Sequence, residues 1–394
     1  MTAPPGITRA QTWALAVACA LSVANLYYIQ PLLADVARSL DVSVTSVGMV
    51  PMLTQVGYAL GLFFVVPLGD ALERRSLVVK MLLAVSVALV ATALAPSLAL
   101  LGVASVAVGV TTITPQLLIP LAATLARPEE RGRVVGTVMG GLLVGVLAAR
   151  TVSGLVNGWL GWRAMYWMAA ALMLLLAGAA RLLLPRSPPQ ASLPYGELLR
   201  SLPALLREEP ILRDAALLGA LAFAGFSAFW TTLIFRLEAA PYHYGSAAAG
   251  LFGLIGVGGA LAAPMVGRLA DSRSPRFTAA LGLAAAFVSF LLFWAFSSVL
   301  VGLIVGVLLL DLGIQSNQIS NQTRIYALRP EARSRLNTVY MVAYFAGGAA
   351  GSYAGALAFS HAGWPGVCGM GLALTGAALG VIALGRERAR AAAA

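Results

Sequence analysis

The chain repeats itself after about half its length. Residues 127–133 (RPEERGR) return as residues 329–335 (RPEARSR), 202 positions later in a chain of 394. Four further pairs share this offset or differ from it by one: Gln116 and Gln318, Gly145 and Gly347, Trp162 and Trp364, Asp70 and Asp271. Composition alone would not place charged and loop residues at matching positions. The repeat therefore predicts two halves built on one plan.

Apolar residues dominate both halves. Hydrophobic residues make up 60% of the chain and charged residues 10%, against about 45–50% and 25% in soluble domains. They form continuous runs of about 20 residues, the length of a helix that crosses a bilayer, without the alternation of a β-barrel. We predict an all-α membrane protein with twelve transmembrane helices in two pseudo-symmetric six-helix bundles. The predicted spans are residues 11–34, 44–68, 77–95, 100–125, 134–158, 163–184, 213–237, 246–269, 276–296, 298–327, 334–358 and 365–384.

A proline-rich stretch that begins at Pro185 separates the two halves. It predicts an N-terminal bundle at residues 1–184, a linker at residues 185–212 and a C-terminal bundle at residues 213–394. Within the linker, leucines and charged residues recur at helical spacing. This pattern is typical of a short amphipathic helix at a membrane surface.

Basic residues are distributed unevenly along the chain. With the N-terminus inside, 22 of the 26 Lys and Arg fall on cytoplasmic segments or their edges. Only Arg38, Arg163 and Arg236 fall outside, and Arg150 lies within a span. This distribution follows the positive-inside rule, so both termini are predicted to be cytoplasmic and His243 to be outside. The net charge of +11 therefore belongs to membrane topology and does not indicate nucleic-acid binding.

The sequence lacks the motifs of common enzyme and metal sites. Cys19 and Cys368 lie inside predicted spans, and their spacing suits no metal site. There is no His-Glu-x-x-His motif, no P-loop and no nucleophile elbow. We therefore predict no metal, no cofactor and no enzymatic activity, and the missing P-loop argues against ATP-driven transport. A membrane receptor built like a transporter stays open as a second class of function.

Two similar loops join spans 2 to 3 and 8 to 9. Residues 66–75 read VPLGDALERR and residues 267–276 read GRLADSRSPR. These loops resemble the signature Gly-x-Leu-Ala-Asp-Arg-x-Gly-Arg-Arg of the major facilitator superfamily. The second loop matches at Gly267, Leu269, Ala270, Asp271 and Arg276, and the first keeps Asp70, Arg74 and Arg75. Together with twelve spans in two halves, the resemblance covers the whole chain and implies a transporter fold.

These loops are also predicted to act as a conformational latch. An acid at a helix end can accept hydrogen bonds from free N–H groups at the start of a neighbouring helix. Nearby basic residues can pair with acids of the opposite half. Such contacts would form when the cytoplasmic side closes and break when it opens. The predicted latch residues are Asp70, Arg74, Arg75, Gly267, Asp271 and Arg276; the alternative is a solvated loop that only sets orientation.

Span 10 carries the most polar face of the chain. Asp311, Gln315, Gln318 and Gln322 follow helical spacing and form one stripe. Polar residues are costly in lipid, so this stripe is predicted to face water or protein. Asp311 is the carboxylate nearest mid-depth and the first candidate for proton coupling, and Asp35 is the second. The alternative for Asp311 is a permanent ion pair with an arginine.

Other polar and aromatic residues within the spans complete a predicted substrate cavity. They are Asn25, Tyr28, Gln55, Tyr58, Gln116, Phe226, Trp230, Tyr340 and Tyr344. Few of them carry a charge, which favours a neutral or amphipathic organic substrate. Packing between helices is the alternative for each. Arg150 allows three interpretations: it extends outward to water, pairs with an acid, or binds an anionic substrate.

Two further segments resemble bacterial efflux permeases of the same superfamily. They are residues 25–33 (NLYYIQPLL) and 333–340 (RSRLNTVY). The resemblance implies a monomer in the bacterial inner membrane that exports a small organic molecule in exchange for protons. The chain departs from drug antiporters by having Ala149 and Arg150 for a Gly-Pro pair and Ser105 for an arginine. An uncoupled facilitator and an importer remain alternatives.

Overall fold

The computed structural model describes residues 7–127, 129–185, 194–256, 274–329 and 332–393, without the side chains of Asp70 and residues 385–393. The described residues are almost entirely helical and contain no strand, which confirms the all-α prediction. The helices are α1 Arg9–Ala24, α2 Leu33–Leu40, α3 Val44–Val47, α4 Met49–Phe64, α5 Leu68–Ala71, α6 Arg74–Leu94, α7 Leu98–Thr111, α8 Thr114–Leu125, α9 Arg131–Leu160, α10 Trp162–Leu183, α11 Tyr195–Glu208, α12 Pro210–Glu238, α13 Ser246–Gly256, α14 Pro275–Ala295, α15 Leu300–Tyr326 and α16 Arg333–Ala393.

Nine helical stretches of the described residues are long and apolar enough to cross a membrane. One of them, Arg333–Leu384, has 52 residues, about twice the length that one crossing needs. Helices α1 and α13 lie where two further spans are predicted but are shorter within the described residues. A helix therefore lies at each of the twelve predicted positions, while the number of separate crossings stays a prediction.

Prolines interrupt two of the predicted spans. Span 1 is helical only to Ala24, then passes through turns into a short 3₁₀ helix at Gln30–Leu32 before α2 begins. Span 4 breaks between α7 and α8, next to Pro115. Proline has no N–H for the helical hydrogen bond, and its ring crowds the preceding turn. These breaks rotate the helix faces that follow them.

The internal repeat is also visible in the backbone. Gly161 and Gly363 both have a positive φ, 81° and 60°, in the left-handed region that favours glycine. Each of them directly precedes the tryptophan that starts the last helical segment of its half. The long run α16 is therefore two helices joined at Gly363. Its first part packs against α12 as α9 packs against α1.

Large apolar side chains cover much of the outer surface of the bundle. Trp159 is 80% exposed, Leu182 84% and Val87 70%. A protein surrounded by water rarely exposes a continuous apolar surface of this kind. A lipid environment suits it.

The linker helix α11 contacts the N-terminal half directly. Its leucines 198, 202 and 205 are buried, and the Tyr195 hydroxyl donates to the carbonyl of Phe64 at 2.6 Å. At the other end, Arg329 pairs with Glu208 and Glu209. The helix therefore touches both halves, although the domain boundaries proposed from the sequence stay a prediction.

Cysteine labelling can test the predicted orientation. The backbone of His243 has a φ of 53°, so a cysteine is better placed at Gly245, where an added Cβ meets no atom within 4 Å. We expect a membrane-impermeant maleimide to label Gly245→Cys from outside intact cells. The matched variant Gly196→Cys, with equally open space on α11, should react only after the cells are permeabilised. The native Cys19 and Cys368 are buried and should not interfere; the reverse pattern would overturn the topology.

Candidate functional site

A cavity of about 570 Å³ lies between the two halves. Residues of α4, α8 and α9 line one side, and residues of α12, α15 and α16 line the other. It extends from Arg150 and Asp311 near mid-depth to Arg333 and Ser334, which are exposed at the end predicted to be cytoplasmic. Its volume lies within the range of small-molecule sites.

The opposite end is sealed by close contacts between the halves. Glycines of α13 press against α9, so that a Cβ on Gly250 would come within 2.6 Å of the Arg150 carbonyl oxygen. On the other side, Gln55 donates to Ser352 at 2.9 Å. Small residues permit this approach of the backbones. The structure is therefore open toward the predicted cytoplasm and closed toward the outside.

The polar stripe of α15 faces this cavity. Asp311, Gln315, Gln318 and Gln322 all line it. The neighbouring stripe of α15 turns away from it: Asn321 donates to Asn317 at 3.0 Å and accepts from Arg324, also at 3.0 Å. Arg324 in turn pairs with Asp214 of α12. One face of α15 is thus available to a ligand, and the adjacent face holds the C-terminal half together.

Arg150 lies at the closed end of the cavity and is 1% exposed. Its Nε donates to Oε1 of Gln30 at 2.6 Å, and its guanidinium stacks on Trp230 at 3.9 Å from the ring centroid. Tyr27 and Phe226 contribute two further ring contacts. Burial excludes the interpretation that this side chain extends outward to water. Both of its Nη atoms are without a hydrogen-bond partner.

Asp311 is the second charged group of this region and is 7% exposed. Its Oδ2 has no hydrogen-bond partner either. Asp311 lines the same cavity as Arg150, yet no ion pair within 4.0 Å joins the two side chains among the described residues. A permanent Arg–Asp pair, the alternative raised from the sequence, is therefore absent from this conformation.

Several residues predicted for the cavity lie behind its wall. Asn25 donates to the sulfur of Met173, Tyr28 is 3% exposed, and the fully buried Tyr340 packs on Gly219. Gln55 belongs to the seal between the halves, and Trp230 supports Arg150. Tyr58, Gln116, Phe226 and Tyr344 do line the cavity, as do the α15 residues described above.

Tyr27 and Gln30 are the important residues that helical spacing did not select. An uninterrupted helix would place Asn25, Tyr28 and Asp35 on one face. Because residues 25–32 form turns and a 3₁₀ helix, Tyr27 faces the cavity and Gln30 reaches Arg150 instead. The proline at position 31 was the available signal, but the size of the rotation it causes is not encoded in spacing.

Asp35, the second proton candidate, does not line the cavity. It belongs to a network of polar side chains at the sealed outer end of the protein. It accepts from Asn157 and from Nη2 of Arg38, and Nη1 of Arg38 donates to both carboxylate oxygens of Glu238 in the opposite half, at 2.8 and 2.9 Å. This network joins α2, α9 and α12. Its position suits closure of the outer end better than proton transfer in the cavity.

The described latch arginines each donate a hydrogen bond within their own half. Arg74 donates to the carbonyl of Gly69 at 3.0 Å and lines the open end of the cavity. Arg75 donates to the carbonyl of Leu184, and its repeat counterpart Arg276 donates to that of Ile382. The side chain of Asp70 and the whole of Gly267 and Asp271 lie outside the described residues. The latch therefore stays a prediction.

Glu238→Gln should favour opening of the outer end. The change weakens the pair with Arg38 that joins the halves, and an exposed pair contributes up to about 1 kcal/mol, or about fivefold in population. Ser352→Cys, fully buried in the seal, is expected to react up to about fivefold faster with an external maleimide in this background. Glu130→Gln removes a comparable exposed pair with Arg133 inside one half and should leave the rate unchanged. If Ser352→Cys reacted at the same rate with Glu238→Gln as with Glu130→Gln, the pair between Arg38 and Glu238 would not control opening of the outer end.

Comparison with known proteins places this architecture among membrane transporters. The family model of the Major Facilitator Superfamily matches residues 15–351. A protein of Escherichia coli K12 described as putative uncharacterized transporter YgaY is 44% identical over 370 residues, which cover 94% of this chain and 93% of that protein. Probable transporter SCO4007 of Streptomyces coelicolor is 36% identical and covers 90% and 82%. A chloramphenicol resistance protein of Streptomyces lividans is 30% identical and covers 68% of each chain.

Solved structures show the same fold at low sequence identity. A bacterial homologue of the human lysosomal transporter Spinster, in an inward-facing conformation, superposes with a TM-score of 0.71 at 17% identity, over 94% of this chain and 93% of that one. A mutant of the nucleoside transporter NupG gives a TM-score of 0.76 at 14% identity, over 94% and 99%. The likeness extends over nearly the whole length of each chain.

Proposed function

Since this chain belongs to the Major Facilitator Superfamily and is a multi-pass membrane protein, we propose that it exports a small organic molecule in exchange for protons by alternating access. The single observation that carries the proposal is Asp311, a buried carboxylate on the wall of a cavity that is open at one end. A carboxylate without a fixed partner can change its protonation as the surroundings change. Its oxygen Oδ2 is buried and has no hydrogen-bond partner among the described residues.

Several features support this direction and location. A relative named for chloramphenicol resistance favours export, and relatives from bacteria favour the inner membrane. The cavity lining is mostly apolar with amides at intervals, which suits a small amphipathic molecule. An uncoupled facilitator, an importer and a membrane receptor are the competing functions.

A two-step experiment separates these functions. A thermal-shift screen of metabolites and drugs on the purified protein, with chloramphenicol included, selects the compounds that bind, because a ligand of the folded state raises the melting temperature. Each such compound is then added to proteoliposomes that contain a trapped pH dye. We expect a pH change in proteoliposomes and none in empty liposomes. Flux without a pH change would indicate a facilitator, and binding without flux would indicate a receptor.

We propose that the loops at residues 66–75 and 267–276 serve as the latch between conformations. Arg75 and Arg276 bind inside their own halves in this inward-open conformation, as expected if contacts across the halves belong to the opposite one. Asp70→Asn should then slow turnover while substrate affinity, measured by thermal shift, stays the same. Transport at the wild-type rate would exclude the latch in the first half.

A further inference from the structure

Arg150 and Asp311 carry opposite charges on the wall of the same cavity, and each has side-chain atoms without a hydrogen-bond partner. Both Nη atoms of Arg150 and Oδ2 of Asp311 are buried, and none of the three has a hydrogen-bond partner among the described residues. Both side chains are more than nine-tenths buried and line the cavity. Buried charges are costly unless they are paired and hydrogen-bonded. A ligand that supplies the missing partners would relieve that cost.

The charges around Asp311 are few. Arg150 faces it from α9 and Tyr344 from α16. Helix α13 approaches with Gly256, where a Cβ would lie 2.7 Å from Oδ2. Helices α12 and α14 also pack on α15, and their charged residues lie near the helix ends: Arg213, Asp214, Arg236, Glu238 and Arg276. Arg74 and Arg333 also line the cavity, but at its open end, so Arg150 and Asp311 are the charged groups of its closed end within the described residues.

These two opposite charges restrict the net charge of a bound molecule. An anion would satisfy Arg150 but would leave the negative charge of Asp311 beside a second one. A cation would satisfy Asp311 and leave Arg150 beside a second positive charge. In a cavity of low polarity each mismatch is costly. A molecule with no net charge but with two polar ends satisfies both groups at once.

We propose that the cavity selects a net-neutral molecule with two polar ends, one that accepts hydrogen bonds from Arg150 and one that donates to Asp311. The acceptor end is a carboxylate, or a carbonyl of similar shape, which fits the two parallel Nη donors of a guanidinium. The donor end is an ammonium or a hydroxyl. The body of the molecule lies against the rings of Tyr27 and Phe226, which line the cavity beside Arg150.

This inference rests on the proposed function and gives it a mechanism of exchange. The donor end and a proton compete for the same carboxylate of Asp311. When the substrate donates to that carboxylate, the proton leaves to water; when a proton returns, the substrate loses its partner. Binding of one therefore weakens binding of the other, which is the condition for exchange across a membrane.

Matched probes test the selectivity on the wild-type protein. L-phenylalanine carries both ends, 3-phenylpropanoate only the acceptor, 2-phenylethylamine only the donor, and 2-hydroxy-3-phenylpropanamide both ends without a formal charge. A parallel set uses L-leucine, 4-methylpentanoate and 3-methylbutylamine. We expect thermal shift to show binding by two-ended members and about tenfold weaker binding by one-ended members. Comparison of L-phenylalanine with the hydroxy-amide tells whether the ends are charged.

Two variants should shift the preference from net-neutral probes to charged ones. Asp311→Asn leaves a net positive site and should gain 3-phenylpropanoate, whereas Arg150→Gln leaves a net negative site and should gain 2-phenylethylamine. A gain of binding cannot come from misfolding, so these variants remain informative even if they are less stable. We expect each gain to be about tenfold.

Three results would overturn the inference. They are binding of a one-ended probe as tightly as its two-ended partner, no binding by any two-ended probe at millimolar concentration, and variants that bind without the expected gains. Proton exchange with some other compound in the liposome assay would leave the proposed function intact in each case. If no compound exchanged for protons in that assay either, the proposed function would fail together with the inference.

Discussion

Asp311→Asn is expected to abolish transport driven by a pH gradient, while substrate-for-substrate exchange persists but needs about tenfold more substrate, because the amide oxygen still accepts a hydrogen bond without the negative charge. The asparagine keeps nearly the same shape but cannot change its protonation. A gradient of one pH unit provides about 1.4 kcal/mol per proton, which supports about a tenfold concentration ratio of substrate. In the variant this ratio should fall to about one. Proteoliposomes with an imposed pH gradient measure the ratio, and counterflow without a gradient measures exchange.

Asp35→Asn is the matched control, because it makes the same chemical change at the other predicted candidate. Asp35 contacts Arg38 and Asn157 at the closed end and does not line the cavity. We expect this variant to keep its response to the gradient. If Asp311→Asn still concentrated substrate and Asp35→Asn did not, the coupling site would lie in the outer network instead. If both variants responded normally, the proposal of proton coupling would lose its support.

Gly145→Ala should destabilise the N-terminal half by about 1–3 kcal/mol, the usual cost of inserting atoms into a packed interface. A Cβ at this position would lie 2.3 Å from the carbonyl oxygen of Ala20. The obstacle is backbone of α1, which cannot rotate away as a side chain can. The C-terminal half repeats the contact, since a Cβ on Gly347 would lie 2.3 Å from the carbonyl oxygen of Ala220. Thermal melting of the purified protein measures the loss.

Gly140→Ala on the same helix is the control. No atom lies within 4 Å of an added Cβ there, and alanine favours a helix over glycine by about 0.5–1 kcal/mol. This variant should therefore melt at the same temperature as the wild type or slightly higher. Equal melting temperatures for Gly145→Ala and Gly140→Ala would mean that α1 and α9 separate easily.

The sequence by itself determined the class of fold and its division into halves. Long apolar runs leave few alternatives in lipid, because helices satisfy their own backbone hydrogen bonds. The repeat from residues 127–133 to residues 329–335 anticipated a symmetry that the backbone shows again at Gly161 and Gly363. The stripe on α15 was also predictable, since an unbroken helix keeps its period of 3.6 residues along its whole length.

The tertiary structure alone decided what the polar groups face. Spacing could not show that Arg150 is buried against Trp230 and Gln30 without an acid partner. The same sequence is compatible with all three interpretations of this side chain: exposure to water, an ion pair or a substrate contact. Nor could spacing place Tyr27 in the cavity, since the turns at residues 25–32 rotate the chain by an amount that helical periodicity does not contain. The sealed end was also decided by tertiary contacts.

The seal depends on contacts between residues about 100 to 300 positions apart in the chain, such as Gln55 with Ser352. Helical periodicity describes one helix at a time, whereas a cavity between two halves exists only once the halves have packed.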